Sequence, residues 1–360
     1  MMRKFISALI SLYLTSAVAA QERVVNVYNW SDYIDPKVLT DFTKETGVKV
    51  VYDTYDSNET LETKLLAGKT GYDVVVPSAP FMQRQIQAGV YQKLDRAKLP
   101  NARGLSDEVM ARMAAYDPGN QYAVNYMWYA TGIAFNAKKA QQVFGRPIDS
   151  WEVIFKPENL KRFAECGVYV LDSPDDVLSA SLRYLGLNPD SKKADEIRRA
   201  ADALIKVKSS IKKFHSSEYI NALANGDICL ALAWAGDSFQ ARNRAREANN
   251  GVEIDFIIPR EGALMSMDAL AILKDAPHVE EAYAFIDYMM RPEVAAQNTN
   301  VTNYANSIPA SQPFIDKTVL ENKAIYPTEE VMKRLFTVSS NDLAVQKIIT
   351  REWTRVKTGK

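Results

Sequence analysis

The 360-residue sequence predicts an α/β fold with a parallel sheet, divided between two domains. Short apolar runs, typical of strands buried on both faces, alternate with segments that carry helix-start and helix-stop residues. After removal of an export signal the chain keeps about 340 residues, which exceeds what one hydrophobic core usually serves. Since 47% of the residues are hydrophobic, apolar material suffices for two cores.

The first twenty residues have the three regions of a secretory signal peptide. Arg3 and Lys4 form the charged region, residues 5–14 are nearly all apolar, and residues 17–20 are small. The sequence therefore predicts that residues 1–20 are removed on export. No other apolar run approaches the roughly 20 residues of a membrane span, so we expect a soluble product.

Charge and histidine content narrow the functional classes. Without Arg3 and Lys4, the 44 basic residues become 42 against 44 acidic ones, a net charge of −2. A nucleic-acid-binding protein would show a clustered basic excess, so no nucleic-acid partner is predicted. With only two histidines and two cysteines, the chain cannot build a usual zinc site, and no metal is expected.

The first half of the chain alternates strand and helix. Strands are predicted at residues 24–28, 48–52 and 72–76. One helix begins at Asp35, followed by a first-turn Pro, and ends at Gly47; another begins at Ser57 and ends at Gly68. Such alternation with short connections predicts right-handed strand–helix–strand units.

The second half continues the pattern. Strands are predicted at residues 131–136, 167–171, 228–234 and 269–273. Helices are predicted at residues 174–186, 194–207, 217–224, 238–248, 279–290 and 292–297, and an amphipathic one at 341–357. There is no Pro/Gly-rich linker, so the chain should cross between domains on strands that act as hinges, near residues 131–135 and 257–271.

Aromatic and polar side chains follow four of these strands. They lie at residues 29–33, at Ser78 with Phe81, at 172–176 and at 234–237. In open α/β sheets ligands bind at the carboxyl ends of strands, and an aromatic face beside a carboxylate suits an organic cation. Structural interpretations stay open: Trp30 and Trp234 as core aromatics, Asp175 and Asp176 as helix first-turn acids, Asp32 and Asp237 as N-caps.

Enzyme motifs are incomplete. The segment Gly68-Lys69-Thr70 ends like a phosphate-binding loop, but Thr63 stands where that loop needs Gly, and the segment leaves a helix. The segment from Ser209 to Lys212 fits S-x-x-K, yet the accompanying S-D-N is absent. We therefore predict a binding protein without cofactor, and keep a secreted hydrolase as the alternative class.

The two cysteines, Cys166 and Cys229, form an even pair in an exported chain. Such a pair favours a disulfide over a metal site. Two buried thiols are the alternative.

Over nearly its whole length the sequence resembles the periplasmic putrescine-binding proteins of polyamine ABC transporters. The matching blocks are residues 27–34, 74–79, 126–128 with 131–132, 156–160, 214–217, 223–229 and 234–237. The resemblance implies a type II periplasmic binding protein fold, with a ligand cleft between two α/β lobes. We place the first lobe at residues 21–128 and 259–310 and the second at 129–258 and 311–360. The resemblance also implies a periplasmic monomer that delivers its ligand to an ABC transporter permease and catalyses no reaction.

The family's ligand positions carry over to eleven residues. Trp30, Tyr33, Trp234 and Tyr304 correspond to aromatic walls around the methylene chain, and Ser31, Asp32, Ser78, Asp176, Asp237 and Asp268 to polar groups that hold the ammonium ends. Asp176 replaces a Glu, and Ser266 replaces an aromatic residue. The paired cysteines match the family's disulfide. Putrescine is the first candidate ligand, and agmatine, spermidine or another cationic amine is the alternative.

Overall fold

The computed structural model describes residues 22–359, so the predicted signal peptide lies outside the described residues. The strands are β1 (Val24–Trp30), β2 (Lys49–Tyr55), β3 (Val74–Val75), β4 (Ala123–Asn136), β5 (Val168–Val170), β6 (Lys213–Phe214), β7 (Leu230–Trp234), β8 (Ile254–Ile257) and β9 (Met265–Ile272). The helices are α1 (Pro36–Thr46), α2 (Asn58–Ala67), α3 (Ala79–Gln87), α4 (Asp107–Met113), α5 (Ala137–Phe144), α6 (Glu152–Phe155), α7 (Pro157–Leu160), α8 (Pro174–Tyr184), α9 (Ala194–Val207), α10 (Tyr219–Asn225), α11 (Ala235–Glu247), α12 (Val279–Met289), α13 (Pro292–Thr302), α14 (Lys317–Leu320), α15 (Glu329–Met332) and α16 (Leu343–Thr358). Short 3₁₀ helices span Arg96–Lys98, Pro100–Gly104, Lys161–Phe163, Lys208–Ser210 and Pro309–Phe314. No helix of this part of the chain is long and apolar enough to cross a membrane.

The strands run in the order β2-β1-β3-β9-β4-β7-β5-β6, with β8 paired to β4. Strand β1 is parallel to β2 and β3, and β5 is parallel to β6 and β7, as predicted. Strands β4, β8 and β9 pair antiparallel, so the sheet is mixed and not purely parallel. The difference arises because these three strands carry the chain from one lobe to the other instead of returning through a helical crossover.

Strand β4 belongs to both lobes. Its residues 123–130 pair with β9, and residues 131–136 pair with β7 and β8. The chain passes back through residues 258–264, between β8 and β9. Gly132 permits the close pairing, because a Cβ there would lie 2.3 Å from the Ile257 carbonyl oxygen. The residue bounds given above for the lobes stay a prediction.

Several helix boundaries follow the predicted signals. Asp35 and Ser57 cap α1 and α2 by accepting hydrogen bonds from backbone N–H groups within the first turn. Helix α11 begins at Ala235, three residues before the predicted start, which places Asp237 in its first turn. Helix α16 buries Trp353, as its apolar spacing predicts, but leaves Leu343 81% exposed at its first residue.

The disulfide joins Cys166 to Cys229, with the two Cα atoms 5.6 Å apart. Cys166 precedes β5 and Cys229 precedes β7, so the bond links the amino ends of two neighbouring parallel strands. The disulfide prediction is confirmed.

Candidate ligand-binding cleft

The carboxyl ends of β1 and β7 meet between the lobes. Trp30 and Trp234, the last residues of these strands, are in edge-to-face contact with ring centroids 5.8 Å apart. Around them lies a first compartment of about 20 Å³, lined by the predicted aromatics Trp30, Tyr33, Trp234 and Tyr304 and the predicted polar residues Ser31, Asp237 and Asp268. The structure therefore brings seven of the eleven predicted site residues together around one small cavity.

Asp237 is presented by the first turn of α11, where the helix dipole favours a carboxylate. It accepts hydrogen bonds from the Tyr219 and Tyr304 hydroxyls, each at 2.6 Å. Gly236 makes the second contact possible, because a Cβ there would lie 2.2 Å from the Tyr304 ring. Burial raises the pKa of Asp237 to about 7, and the two phenol hydrogen bonds oppose the shift.

Asp268 lies in the middle of β9, on the other side of the compartment. Its carboxylate accepts hydrogen bonds from Ser78 Oγ at 2.6 Å and from Tyr33 Oη at 2.8 Å. Burial raises the pKa of Asp268 to about 7, and the same hydroxyls oppose the shift. Two predicted polar residues, Ser78 and Asp268, are thus held together by a direct bond.

A second compartment of about 30 Å³ lies beyond Trp234 and Tyr129, which line both cavities. It contains three further predicted residues, Ser78, Asp176 and Ser266. Asp176 accepts hydrogen bonds from Ser173 Oγ at 2.6 Å, from Trp234 Nε1 at 3.2 Å, and from Thr131 Oγ1. Burial raises the pKa of Asp176, and these hydrogen bonds oppose the shift.

Asp32 is the predicted residue that the structure does not bring to either compartment. Its backbone is left-handed, with φ of 55°, and its half-exposed carboxylate accepts a 2.6 Å hydrogen bond from Arg244. Its carbonyl oxygen accepts a hydrogen bond from Gln240 at 3.2 Å. These contacts join the loop after β1 to α11, so Asp32 ties the two sides of the cleft at its edge. A ligand contact by Asp32 stays a prediction.

The aromatic rings contact one another across the first compartment. Tyr304 packs edge to face on Tyr33 at 4.7 Å and on Tyr129 at 5.0 Å between centroids. A volume of about 20 Å³ is close to the minimum that holds one water molecule. A methylene chain therefore enters between the rings only when the lobes or the side chains move apart.

Sequence reasoning missed two tyrosines of the site. Tyr219 is fully buried and bonds Asp237, and Tyr129 lies between the two compartments. Tyr129 lies between the matching block 126–128 and the predicted strand 131–136, and no prediction from the sequence placed it at the cleft. Tyr219 stands at the start of α10, five residues after the short strand β6, which the sequence did not predict, and nothing local distinguished it from a core aromatic.

Among residues 22–359 no group of three or more His, Cys, Asp or Glu side chains is placed to hold a metal ion. The hydrogen-bond partners of the three buried carboxylates are hydroxyls and one indole N–H, which are uncharged. The arrangement is that of a small aromatic-lined cavity with strong anionic acceptors.

Without ligand, the free energy of unfolding is expected to fall as the pH rises from about 4 to about 7. An unfolded Asp titrates near 3.9, whereas Asp237 and Asp268 titrate near 7 in the fold. Between these values the unfolded chain releases protons that the native state retains, so the native state loses relative stability. Urea unfolding at pH 5 and pH 8 measures the change.

The double variant Asp237→Asn/Asp268→Asn provides the comparison, because it removes both titrating groups. Its stability should depend less on pH over the same interval. Identical pH dependence in the wild type and in this variant would contradict the assignment of the raised pKa values to these two carboxylates.

Two α/β lobes joined by crossing strands, with aromatic rings and buried carboxylates between them, define a type II periplasmic binding protein. A solved structure from Listeria monocytogenes, named as a spermidine/putrescine ABC transporter, has a TM-score of 0.84 and 27% identity, covering 94% of this chain and 100% of that one. The chain belongs to the bacterial extracellular solute-binding protein family, whose model matches residues 37–328.

Two relatives match the chain over nearly its full length. A putrescine-binding periplasmic protein of Pseudomonas aeruginosa is 48% identical over 367 aligned positions, which cover 100% of both chains. A putrescine-binding periplasmic protein of Escherichia coli is also 48% identical, over 99% of both chains. The family resemblance expected from the sequence blocks is confirmed.

Proposed function

We propose that this protein captures a polyamine, with putrescine as the first candidate, between its two lobes and delivers it to an ABC transporter permease. The observation that carries the proposal is the pair of buried carboxylates, Asp237 from α11 and Asp268 from β9, that line one aromatic-lined cavity. A diamine has two charged ends and an apolar middle. Burying it requires a carboxylate for each ammonium and an apolar or aromatic surface along the chain.

The proposed ligand contacts follow from this arrangement. Asp237 and Asp268 pair with the two ammonium groups, while Trp30 and Trp234 pack on the methylene chain and attract its charged ends. Tyr33 and Tyr304 already bond the carboxylates, and their rings complete the aromatic surface. Because both lobes contribute contacts, the ligand favours the closed arrangement that the permease recognises.

The wider role rests on the relatives, which are periplasmic putrescine-binding proteins. We propose that the chain acts in the periplasm after removal of residues 1–20, as a monomer, without cofactor, catalysis or nucleic-acid partner. The alternative ligand is agmatine, spermidine or another cationic amine. It is favoured by Ser266, which lines the second compartment with a small side chain.

The test identifies the bound amine and measures the affinity of the protein for four candidate amines. Native mass spectrometry of the purified protein identifies any amine that it carries, and calorimetry of ligand-stripped protein with putrescine, cadaverine, agmatine and spermidine ranks the affinities. Binding of at least one of these amines at one-to-one stoichiometry supports the proposal. Absence of binding to all four, by protein that melts cooperatively, would refute it.

Substitution of Ser266 by Phe is expected to favour putrescine over the longer amines. The difference between their binding free energies should change by about 1 kcal/mol. A ring at this position fills part of the second compartment beside Tyr129 and Met267, and leaves less room for a longer amine. Calorimetry of the wild type and the variant against the four amines at one salt concentration measures the change. Ser266→Ala is the control, because it removes the hydroxyl without adding a ring. An unchanged ratio of putrescine to the longer amines in Ser266→Phe would show that this position does not set selectivity.

A further inference from the structure

The two compartments together hold three buried carboxylates. Asp237 and Asp268 line the first compartment, and Asp176 lines the second. Each is at least 94% buried, with exposures of 5%, 1% and 6%, respectively. The ion pairs formed among residues 22–359 include none of the three, since the nearby cations pair elsewhere. Ionisation of all three would therefore place three negative charges between the lobes.

Among residues 22–359, neither α8, which carries Asp176, nor α3 contributes an unpaired cation to Asp176. Asp175 precedes it in the first turn of α8 and is a second acid that lines the same compartment, where burial raises its pKa to about 6. Arg84 of α3 and Lys192 act on Asp175, but Arg84 is already paired with Glu62 at 3.2 Å and Lys192 with Asp190 at 2.8 Å. The contacts of Asp176 itself are to Ser173, Thr131 and Trp234, all neutral.

Within the same described range, strands β4 and β9 and helix α11 contribute no unpaired cation to Asp176 either. Tyr129 of β4 lines the second compartment together with Asp176. Asp268 of β9, in the first compartment, is a further acid that is close enough for the charge of Asp176 to raise its pKa. Arg244 of α11 acts on Asp237 and is bound to the carboxylate at the cleft edge. Residues 22–359 thus supply no positive charge to an ionised Asp176 in a closed cleft. Burying that uncompensated carboxylate costs free energy, unless a ligand cation pairs with it or a proton neutralises it.

We propose that the closed cleft is neutralised by three positive charges, so that a triamine binds with Asp176 ionised and a diamine binds with a proton on Asp176. This inference rests on the proposed function and specifies how the site distinguishes amines by charge. A diamine spans Asp237 and Asp268 in the first compartment. A third ammonium passes Trp234 and Tyr129 and pairs with Asp176 in the second.

The proposal has a measurable consequence in proton exchange. Alkyl ammonium groups resemble that of Lys, whose pKa is near 10.4, so both amines enter fully charged at neutral pH. Protons displaced from Asp237 and Asp268 are the same for both ligands and cancel in the difference. Diamine binding then retains about one proton more than triamine binding, and the ratio of diamine to triamine affinity falls by up to about tenfold per pH unit as the pH rises.

Calorimetry in phosphate and in Tris buffer gives the number of protons exchanged, because the two buffers differ in ionisation enthalpy. Putrescine and spermidine are titrated into the wild type, Asp176→Asn and the control Asp149→Asn, which makes the same chemical change at an exposed position outside both compartments, all at pH 7.0. We expect a difference of about one proton between the two amines in the wild type and in Asp149→Asn, and none in Asp176→Asn. The ratio of wild-type affinities from pH 6.0 to 7.5, where both amines stay essentially fully charged, provides a second measurement that needs no variant.

Equal proton counts for the two amines in the wild type, together with a pH-independent affinity ratio, would overturn the inference. A difference that persists in Asp176→Asn, or that disappears in Asp149→Asn, would also overturn it by placing the proton elsewhere. These outcomes leave the proposed function intact. Failure of both amines to bind the wild type would instead refute the proposed function, and this inference with it.

Discussion

Replacement of Asp268 by Asn is expected to weaken diamine binding by about 2 to 5 kcal/mol, which is roughly 30-fold to several thousand-fold in Kd. The substitution removes the negative charge that faces a buried ammonium but preserves the shape of the side chain. Asp268 also anchors Ser78 and Tyr33 through hydrogen bonds, so part of the loss comes from groups left without their acceptor. Calorimetry of the variant with putrescine measures the effect.

Asp237→Asn should lose affinity to a similar degree, since Asp237 is equally buried and bonded by two phenols. Asp149→Asn is the matched control: it makes the same chemical change at an exposed position, where Asp149 pairs with Arg260. The control should bind like the wild type, and all three variants should melt cooperatively. Wild-type affinity in both cleft variants would refute the site.

Removal of the disulfide in the double variant Cys166→Ala/Cys229→Ala is expected to lower the free energy of unfolding by about 4 kcal/mol in the chain-entropy model. The bond closes a loop of 63 residues, which the unfolded chain without it leaves unconstrained. Urea unfolding of the wild type and the variant gives the difference. Titration of the denatured, unreduced wild type should find no free thiol.

The same variant should retain its affinity for the ligand. The disulfide lies at the amino ends of β5 and β7, whereas Trp234 lies at the carboxyl end of β7. Two reactive thiols in the unreduced protein would contradict the bond, and a stability equal to that of the wild type would contradict its energetic role.

Among residues 22–359, local signals predicted nine of the sixteen helices and seven of the nine strands, but not α3 to α7, α14, α15, β6 or β8. Asp35 and Ser57 cap helices because their side chains bond the first free N–H groups, an interaction that acts within a few residues and is readable from the sequence. The antiparallel direction of β9 was not readable in this way. It depends on which strand of the other half of the chain lies beside it, and no local pattern encodes that choice.

The site shows the same division between local and distant information. Trp30 lies at the end of a strand and Asp237 shortly after one, so both were readable from the sequence. The resemblance to a known family identified most of the other residues around the cavity. Tyr219 reaches Asp237 only because α10 and β7 pack together, a contact that no spacing along the chain expresses. Asp32 looked equivalent to the other carboxylates in sequence, but its left-handed backbone directs it toward Arg244 at the edge of the cleft.

The continuity of β4 through both lobes limits how this architecture can evolve. Side chains alternate between the two faces of a strand, so one inserted residue near Ala130 would exchange the faces of every following position up to Asn136. Such an insertion would turn Thr131 away from Asp176 and break the pairing with β7 and β8 together. New ligand preferences in descendants of this protein should therefore arise by replacement of side chains around the cleft, while the length of the crossing strand stays fixed.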